Sequence, residues 1–265
     1  MQAAAKIRIA MGAGLAAGLA LASAAQAQPS ARAVAAAALP DWSGVWLPSQ
    51  PDVFDAEAGS KATRDRPPYT AEYEAKYRAT MARLKTDKDA DPLSLCSPTG
   101  MPRMMTLPGL YNFTVTPDKV FVLADTRPGP ESTGNQARRI YTDGRPPLTG
   151  DDIFPTYTGN ENGHWEGDTL VVHTTGLNDG NFVDRTGALL SGEEVIDERI
   201  RMAGPNLMQD RITITDPKAL TRPWTVTRTW RRAPAGTEII DDACSGKKVN
   251  PAAMSDAAAA RAKGK

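Results

Sequence analysis

Between residues 111 and 242, apolar and polar side chains alternate in short runs, the period-two pattern of strands with one buried face. The runs cover residues 111–116, 119–125, 137–142, 168–174, 195–202, 207–215, 224–231 and 237–242. Breaks such as Pro117-Asp118, Asp143-Gly144 and Glu166-Gly167-Asp168 separate them and read as turns. The clearest strand follows the last of these breaks, so the hairpin around it is expected at the middle of the sheet. A shorter strand opens the fold at residues 41–46, with Trp42 and Trp46 on one face. Helical spacing occurs once, at Tyr73, Tyr77, Met81 and Leu84. Thr70 before it is an N-cap candidate and Glu72 falls in the first turn, which predicts a helix of about 16 residues. One helix among so many strands excludes the alternating units of a parallel α/β sheet. The predicted fold is mainly β: an antiparallel β-barrel or curled sheet with one flanking N-terminal helix.

The ends of the chain read differently. Lys6 and Arg8, the apolar run 9–22 and the small-residue site Ala25-Gln26-Ala27 compose a secretory signal peptide over residues 1–27. No later run reaches the roughly 20 apolar residues that span a bilayer, so no integral membrane segment is expected after its removal. Residues 28–40 form an Ala-rich leader, 41–248 a single β-rich domain and 249–265 a frayed or disordered tail. The implied location is periplasmic or secreted. There Cys96 and Cys244, the two cysteines, are expected to form a disulfide. Such a bridge closes a loop of about 150 residues and contributes up to about 5 kcal/mol. Charge is balanced at 31 basic and 31 acidic side chains with no basic stripe, which argues against nucleic acid as a partner.

Strand alternation assigns inward faces. In the run 195–202, Ile196, Glu198, Ile200 and Met202 share the apolar face, which turns Glu198 into the core. Met208, Asp210, Ile212 and Ile214 alternate likewise, as do Trp224, Val226, Arg228 and Trp230. Three inward ionisable groups on successive strands must pair or face a wet cavity, because an unpaired buried charge costs several kcal/mol. One reading is a structural Glu198–Arg228 ion pair. The other is a polar patch in an apolar pocket, suited to a small, largely apolar organic molecule. There Glu198 would act as acid or base, Arg228 as electrostatic partner or oxyanion stabiliser, and Asp210 beside them.

The two histidines, His164 and His173, are further proton-carrier candidates because of their ordinary pKa. His164, Glu166 and Asp168 are too disrupted by Gly167 to form a convincing metal site, and two histidines cannot make a three-histidine zinc centre. The segment Asn178-Asp179-Gly180-Asn181 with Asp184 has the composition of a calcium loop without EF-hand spacing; turn chemistry explains it better. Met101, Met104 and Met105 could offer thioethers to Cu(I), but gap filling suits three loop methionines better. No phosphate loop, nucleophile elbow or Ser/His/Asp signature is present, and no cofactor is implied.

Three stretches carry a resemblance: Arg139-Ile140-Tyr141-Thr142-Asp143-Gly144-Arg145-Pro146; Gly163-His164-Trp165-Glu166-Gly167-Asp168-Thr169-Leu170-Val171-Val172; and Asp216-Pro217-Lys218-Ala219 ahead of Pro223-Trp224-Thr225-Val226. Together they resemble a large family of exported bacterial proteins of unassigned activity, which supplies no catalytic residue to carry over. Leu190 stands where relatives have a histidine, so histidine chemistry is not implied. Gly44-Val45-Trp46 is similar to the Gly-x-Trp opening of lipocalins and lipocalin-like enzymes. That likeness implies a cup-shaped barrel for an apolar small molecule, and some members of that wider group carry out hydration or isomerisation without a cofactor. The leading reading is therefore a cofactor-free acid–base lyase, hydratase or isomerase. The alternative is a non-catalytic carrier using the same pocket, and a third is an interaction protein whose barrel is closed by its own side chains.

Overall fold

The computed structural model describes residues 38–49, 54, 66–125 and 134–240. The signal sequence and the tail lie outside them, as does Cys244 and therefore its pairing with Cys96. Nine strands close into a barrel in chain order: β1 (Val45–Pro48), β2 (Leu110–Val115), β3 (Lys119–Asp125), β4 (Asn135–Tyr141), β5 (Asn160–Glu166), β6 (Thr169–Thr175), β7 (Val195–Gly204), β8 (Leu207–Thr215) and β9 (Trp224–Arg232). The 16-residue helix α1 (Ala71–Thr86) precedes β2 and begins at Thr70, whose side chain accepts from the Tyr73 amide. The expected barrel with one flanking helix is what the chain forms.

Two details differ from the pattern read in the sequence. An odd number of strands cannot alternate in direction all the way round, so one seam must be parallel. That seam is β4–β5, held by the single pair Tyr141↔Asn162. The other seams, including the closure of β9 onto β1, are antiparallel. The run expected as a strand from residue 237 is irregular through residue 240, and the rest of it is outside the described residues. Thr237 instead turns back on Pro234 through both its amide and its hydroxyl, which leaves the segment no ladder to join.

The strand registers give the barrel two unlike ends. Tight turns join β2 to β3, β5 to β6 and β7 to β8 at one end. That end is filled by aromatics: Trp42 packs edge-on against Trp165 at 5.2 Å and Phe113 at 6.0 Å, and Trp230 meets Phe113 at 6.1 Å and Tyr111 at 5.7 Å. Long connections cross the other end. There α1 docks on the segments after β6 and β8: the Thr70 amide donates to Ala219 O at 2.8 Å and Tyr77 Oη to Thr186 at 3.1 Å. The methionine loop closes the same end, with Met101, Met104 and Met105 fully buried. Tyr111 Oη pins it by donating toward Met104 O and Leu107 O. These thioethers fill the top of the core, as expected for flexible apolar side chains.

No helix of the described residues is long and apolar enough to cross a membrane.

Candidate functional site

Between the aromatic floor and the methionine lid, five ionisable side chains of the described residues project into the barrel. Alternation puts them there. Glu198 shares its face with Ile196 and Ile200, Asp210 with Met208 and Ile212, and Arg228 with Val226 and Trp230; all of these are buried. Arg138 on β4 shares its face with Ile140, and Glu161 on β5 with Gly163 and Trp165. Arg138, Glu198 and Asp210 have no solvent exposure.

Arg138 is the hub. Its Nη1 and Nη2 donate to Glu198 Oε1 and Oε2 at 2.9 and 2.5 Å, a two-pronged contact. Its Nε donates to Glu161 Oε1 at 2.8 Å. Burial works against a charge on Arg138, but the two carboxylates outweigh it and hold the guanidinium firmly protonated. Burial pushes Glu161 up to about 6, with Arg138 opposing the rise.

Asp210 stands apart from this pairing. Neither of its oxygens accepts a hydrogen bond. Burial first, and the like charge of Glu198 second, push its carboxyl well above the usual range. The two carboxyls are close enough for a proton on Asp210 to be donated to Glu198. Arg228 is Asp210's register partner on β9, but its Nη2 donates to Thr106 O in the lid at 3.1 Å and its guanidinium lies 5.6 Å from the Phe54 ring.

The structure thus brings together Glu198, Asp210 and Arg228 of the residues singled out in the sequence. It corrects the pairing: Glu198 is held by Arg138, not Arg228. It also separates both histidines from the interior. His173 is exposed on the outer face of β6, with Nδ1 2.8 Å from Asp197. His164 is exposed on the outer face of β5 beside Glu166, which also receives Arg199 Nη2 at 2.7 Å. Neither reaches the interior group, because an odd residue offset on a strand selects the opposite face. The calcium-like segment is spent on turn contacts. Asn181 Nδ2 donates to Met101 O and Tyr157 O, and Asp184 accepts from the Phe54 and Thr186 amides.

Arg138 and Glu161 were missed, although the signal was present. Arg138 lies two residues before Ile140, and Glu161 two and four before Gly163 and Trp165. The same alternation that found Glu198 points both of them inward.

No protein-family model and no curated protein sequence matches the chain. The likeness to exported bacterial proteins therefore rests on the sequence signature alone. Among solved structures, the chain is similar to an asparagine-to-alanine mutant of the fluorescent protein UnaG, at 11% identity and a TM-score of 0.34 over 74% of this chain and 97% of that one. It is also similar to the REP1-NXSQ fatty acid transporter, at 8% identity and a TM-score of 0.31 over 73% and 96%. Likenesses this distant say nothing of chemistry, which rests on the chain's own residues.

Proposed function

We propose that this protein is a carrier of a small, largely apolar molecule, which it holds inside the barrel with its polar group at Asp210 and Glu198. The observation that carries this reading is the engagement of both Glu198 oxygens by Arg138. A carboxylate fixed in this way is a poor general base and a good structural anchor, and it leaves Asp210 as the enclosed interior carboxyl whose oxygens accept no hydrogen bond. The signal sequence read over residues 1–27 supports work outside the cytoplasm, in the periplasm or as a secreted protein.

One observation favours a second reading. Burial holds the Asp210 carboxyl well above its usual range within reach of Glu198, and two carboxyls in such contact are an arrangement used to move a proton within a dry site. In that case the reaction is a lyase, hydratase or isomerase step in which Asp210 gives a proton to the substrate, Glu198 takes one from it and Arg228 is the electrostatic partner. His173 has no part in it.

The two readings separate in one experiment. The purified chain is incubated with fractionated small-molecule extracts of its source cells, and both the protein-bound and the free fractions are followed by mass spectrometry. Recovery of a bound compound unchanged supports the carrier. A time-dependent gain or loss of one water, or a new isomer at constant mass that disappears in Glu198→Gln, overturns it in favour of the enzyme.

A further inference from the structure

Four arginines meet on the outer face of the barrel, where no single stretch of the sequence brings them together. Arg199 and Arg201 on β7, Arg211 on β8 and Arg231 on β9 alternate with the buried side chains and are exposed. Arg199 stands directly opposite Arg211, and Arg201 stands opposite Gln209, one step along from Arg211. Diagonal neighbours of this kind are about 7–8 Å apart, and like charges directly opposite one another destabilise a sheet. The acids beside them are Glu166, which holds Arg199, and Asp197, which lies against His173. Arg201 reaches only the amide oxygen of Gln209, and Arg211 and Arg231 have no hydrogen-bond or ion-pair partner among the described residues. Three guanidiniums on adjacent strands are thus left facing solvent without an acid among those residues.

Arg231 adds a second feature. Its register partners on β1 and β8 are Leu47 and Leu207, which share its outer face. Leu47 is 38% exposed and Leu207 half-buried. An open groove of about 620 Å³ runs beside this row, lined by Arg231 and Leu207 together with Pro205, Asn206, Ala233 and Pro234. It has room for a phosphate head group at the guanidinium, with apolar side chains beside it. A soluble polyanion would gain from the arginines and nothing from the leucines. A lipid surface gains from both: its phosphates take guanidiniums in two-pronged contacts, and leucines enter the apolar boundary beneath the head groups.

We propose that this face docks on an anionic lipid bilayer, with lipid phosphates at Arg201, Arg211 and Arg231 and with Leu47 and Leu207 turned into the head-group layer. The inference stands on the outer wall and does not depend on what the barrel holds.

Flotation of the full chain with two kinds of vesicle tests this: phosphatidylcholine alone, and phosphatidylcholine mixed equally with phosphatidylglycerol. Each arginine close to an anionic surface is worth roughly fivefold in affinity, so the three together should give about a hundredfold preference for the anionic vesicles, weakening as salt is added. The triple variant Arg201→Gln, Arg211→Gln and Arg231→Gln should lose that preference. A control with the same change of net charge, Arg139→Gln, Arg145→Gln and Arg222→Gln, replaces exposed arginines elsewhere and should keep most of it. The apolar run 9–22 is common to all three chains and cancels in the comparison. Leu47→Asn should weaken binding several-fold and leave the salt dependence as it is. Equal binding to both vesicles, or an equal loss in the control variant, would overturn the proposal. Dextran sulfate bound more tightly than the anionic vesicles, and unaffected by Leu47→Asn, would overturn the bilayer as the partner in favour of a soluble acidic polymer.

Discussion

Arg138 holds two carboxylates from two other strands, so its removal leaves more than a missing contact. In Arg138→Met, Glu161 and Glu198 remain enclosed with no donor at the oxygens it served. Breaking a buried ion network from one side costs about 3–5 kcal/mol. Urea denaturation should show the midpoint falling by that amount with the slope unchanged, and the loss should shrink in acid, where the orphaned carboxyls neutralise themselves. The double variant Arg138→Met with Glu198→Leu should recover part of the loss, since apolar replacements of a buried pair are tolerated far better than half of one. The same residue shows where sequence reading stops. Alternation around Ile140 is enough to aim Arg138 inward, just as it aims Glu198, Asp210 and Arg228. Alternation does not say which inward side chains meet. Glu198 and Arg228 lie on strands with β8 between them, which invites pairing across one neighbour. The partner came instead from β4, across the barrel, because a closed sheet brings distant strands face to face.

At the scale of elements, most of the architecture was legible. The 16 residues of α1 and its Thr70 cap follow from the spacing of Tyr73, Tyr77, Met81 and Leu84. Most of the strands followed from their period, although β5 was implied only as the first arm of the hairpin around Gly167 and the run from residue 237 forms no strand through residue 240. What the period could not supply was the parallel β4–β5 seam, because it depends on strand number and closure, which no single strand records. Nor could it place α1, whose outer charged face is the same whether it lies beside the sheet or across its end. Gly187 shows how closely α1 is seated. It has φ +82° and lies in the segment after β6, where an added Cβ would come within 2.5 Å of Thr80 Cγ2 and 2.8 Å of Leu84 Cδ1 on the helix. Gly144 has a similar φ of +77° with open space around it. Both alanine variants bear the cost of a left-handed backbone, about 1 kcal/mol or more. Only Gly187→Ala must also push α1 away from the barrel. Thermal melts should therefore rank Gly187→Ala clearly below Gly144→Ala. Hydrogen exchange should show faster opening of α1 in the first variant alone. Equal melts for the two would mean that α1 shifts without cost and is not a fixed lid.

Several carboxyls of the described residues are enclosed, and they shape the molecule's response to pH. Burial raises Glu161 to about 6 and Glu194 to about 7 from an ordinary value of 4.5. Glu194 has one oxygen on the Gly192 amide and the other unmatched, with Asp216 and Asp179 nearby as like charges. Asp184 and Asp210 are raised in the same sense, each chiefly by burial. A carboxyl whose pKa is higher folded than unfolded binds its proton more tightly in the folded state. The folded state is therefore favoured in acid, and it loses that advantage as pH rises from the unfolded value through the folded one. For Glu161 and Glu194 this window runs from about pH 4.5 to about pH 7. The carboxyls shifted the other way, Asp41, Asp143 and Glu166, lie at the surface, and what they contribute is lost only below the ordinary carboxylate range. They cannot offset the interior between pH 5 and pH 7. The melting temperature should accordingly fall by several degrees between those two values, since each kcal/mol is worth roughly 2–4 °C in a chain of this size. Glu194→Gln keeps the shape and removes the charge, so it should flatten the upper part of that slope and raise the melting temperature near neutrality. A melting temperature that rises with pH across the window would mean that these carboxyls are ionised and well solvated in the folded protein.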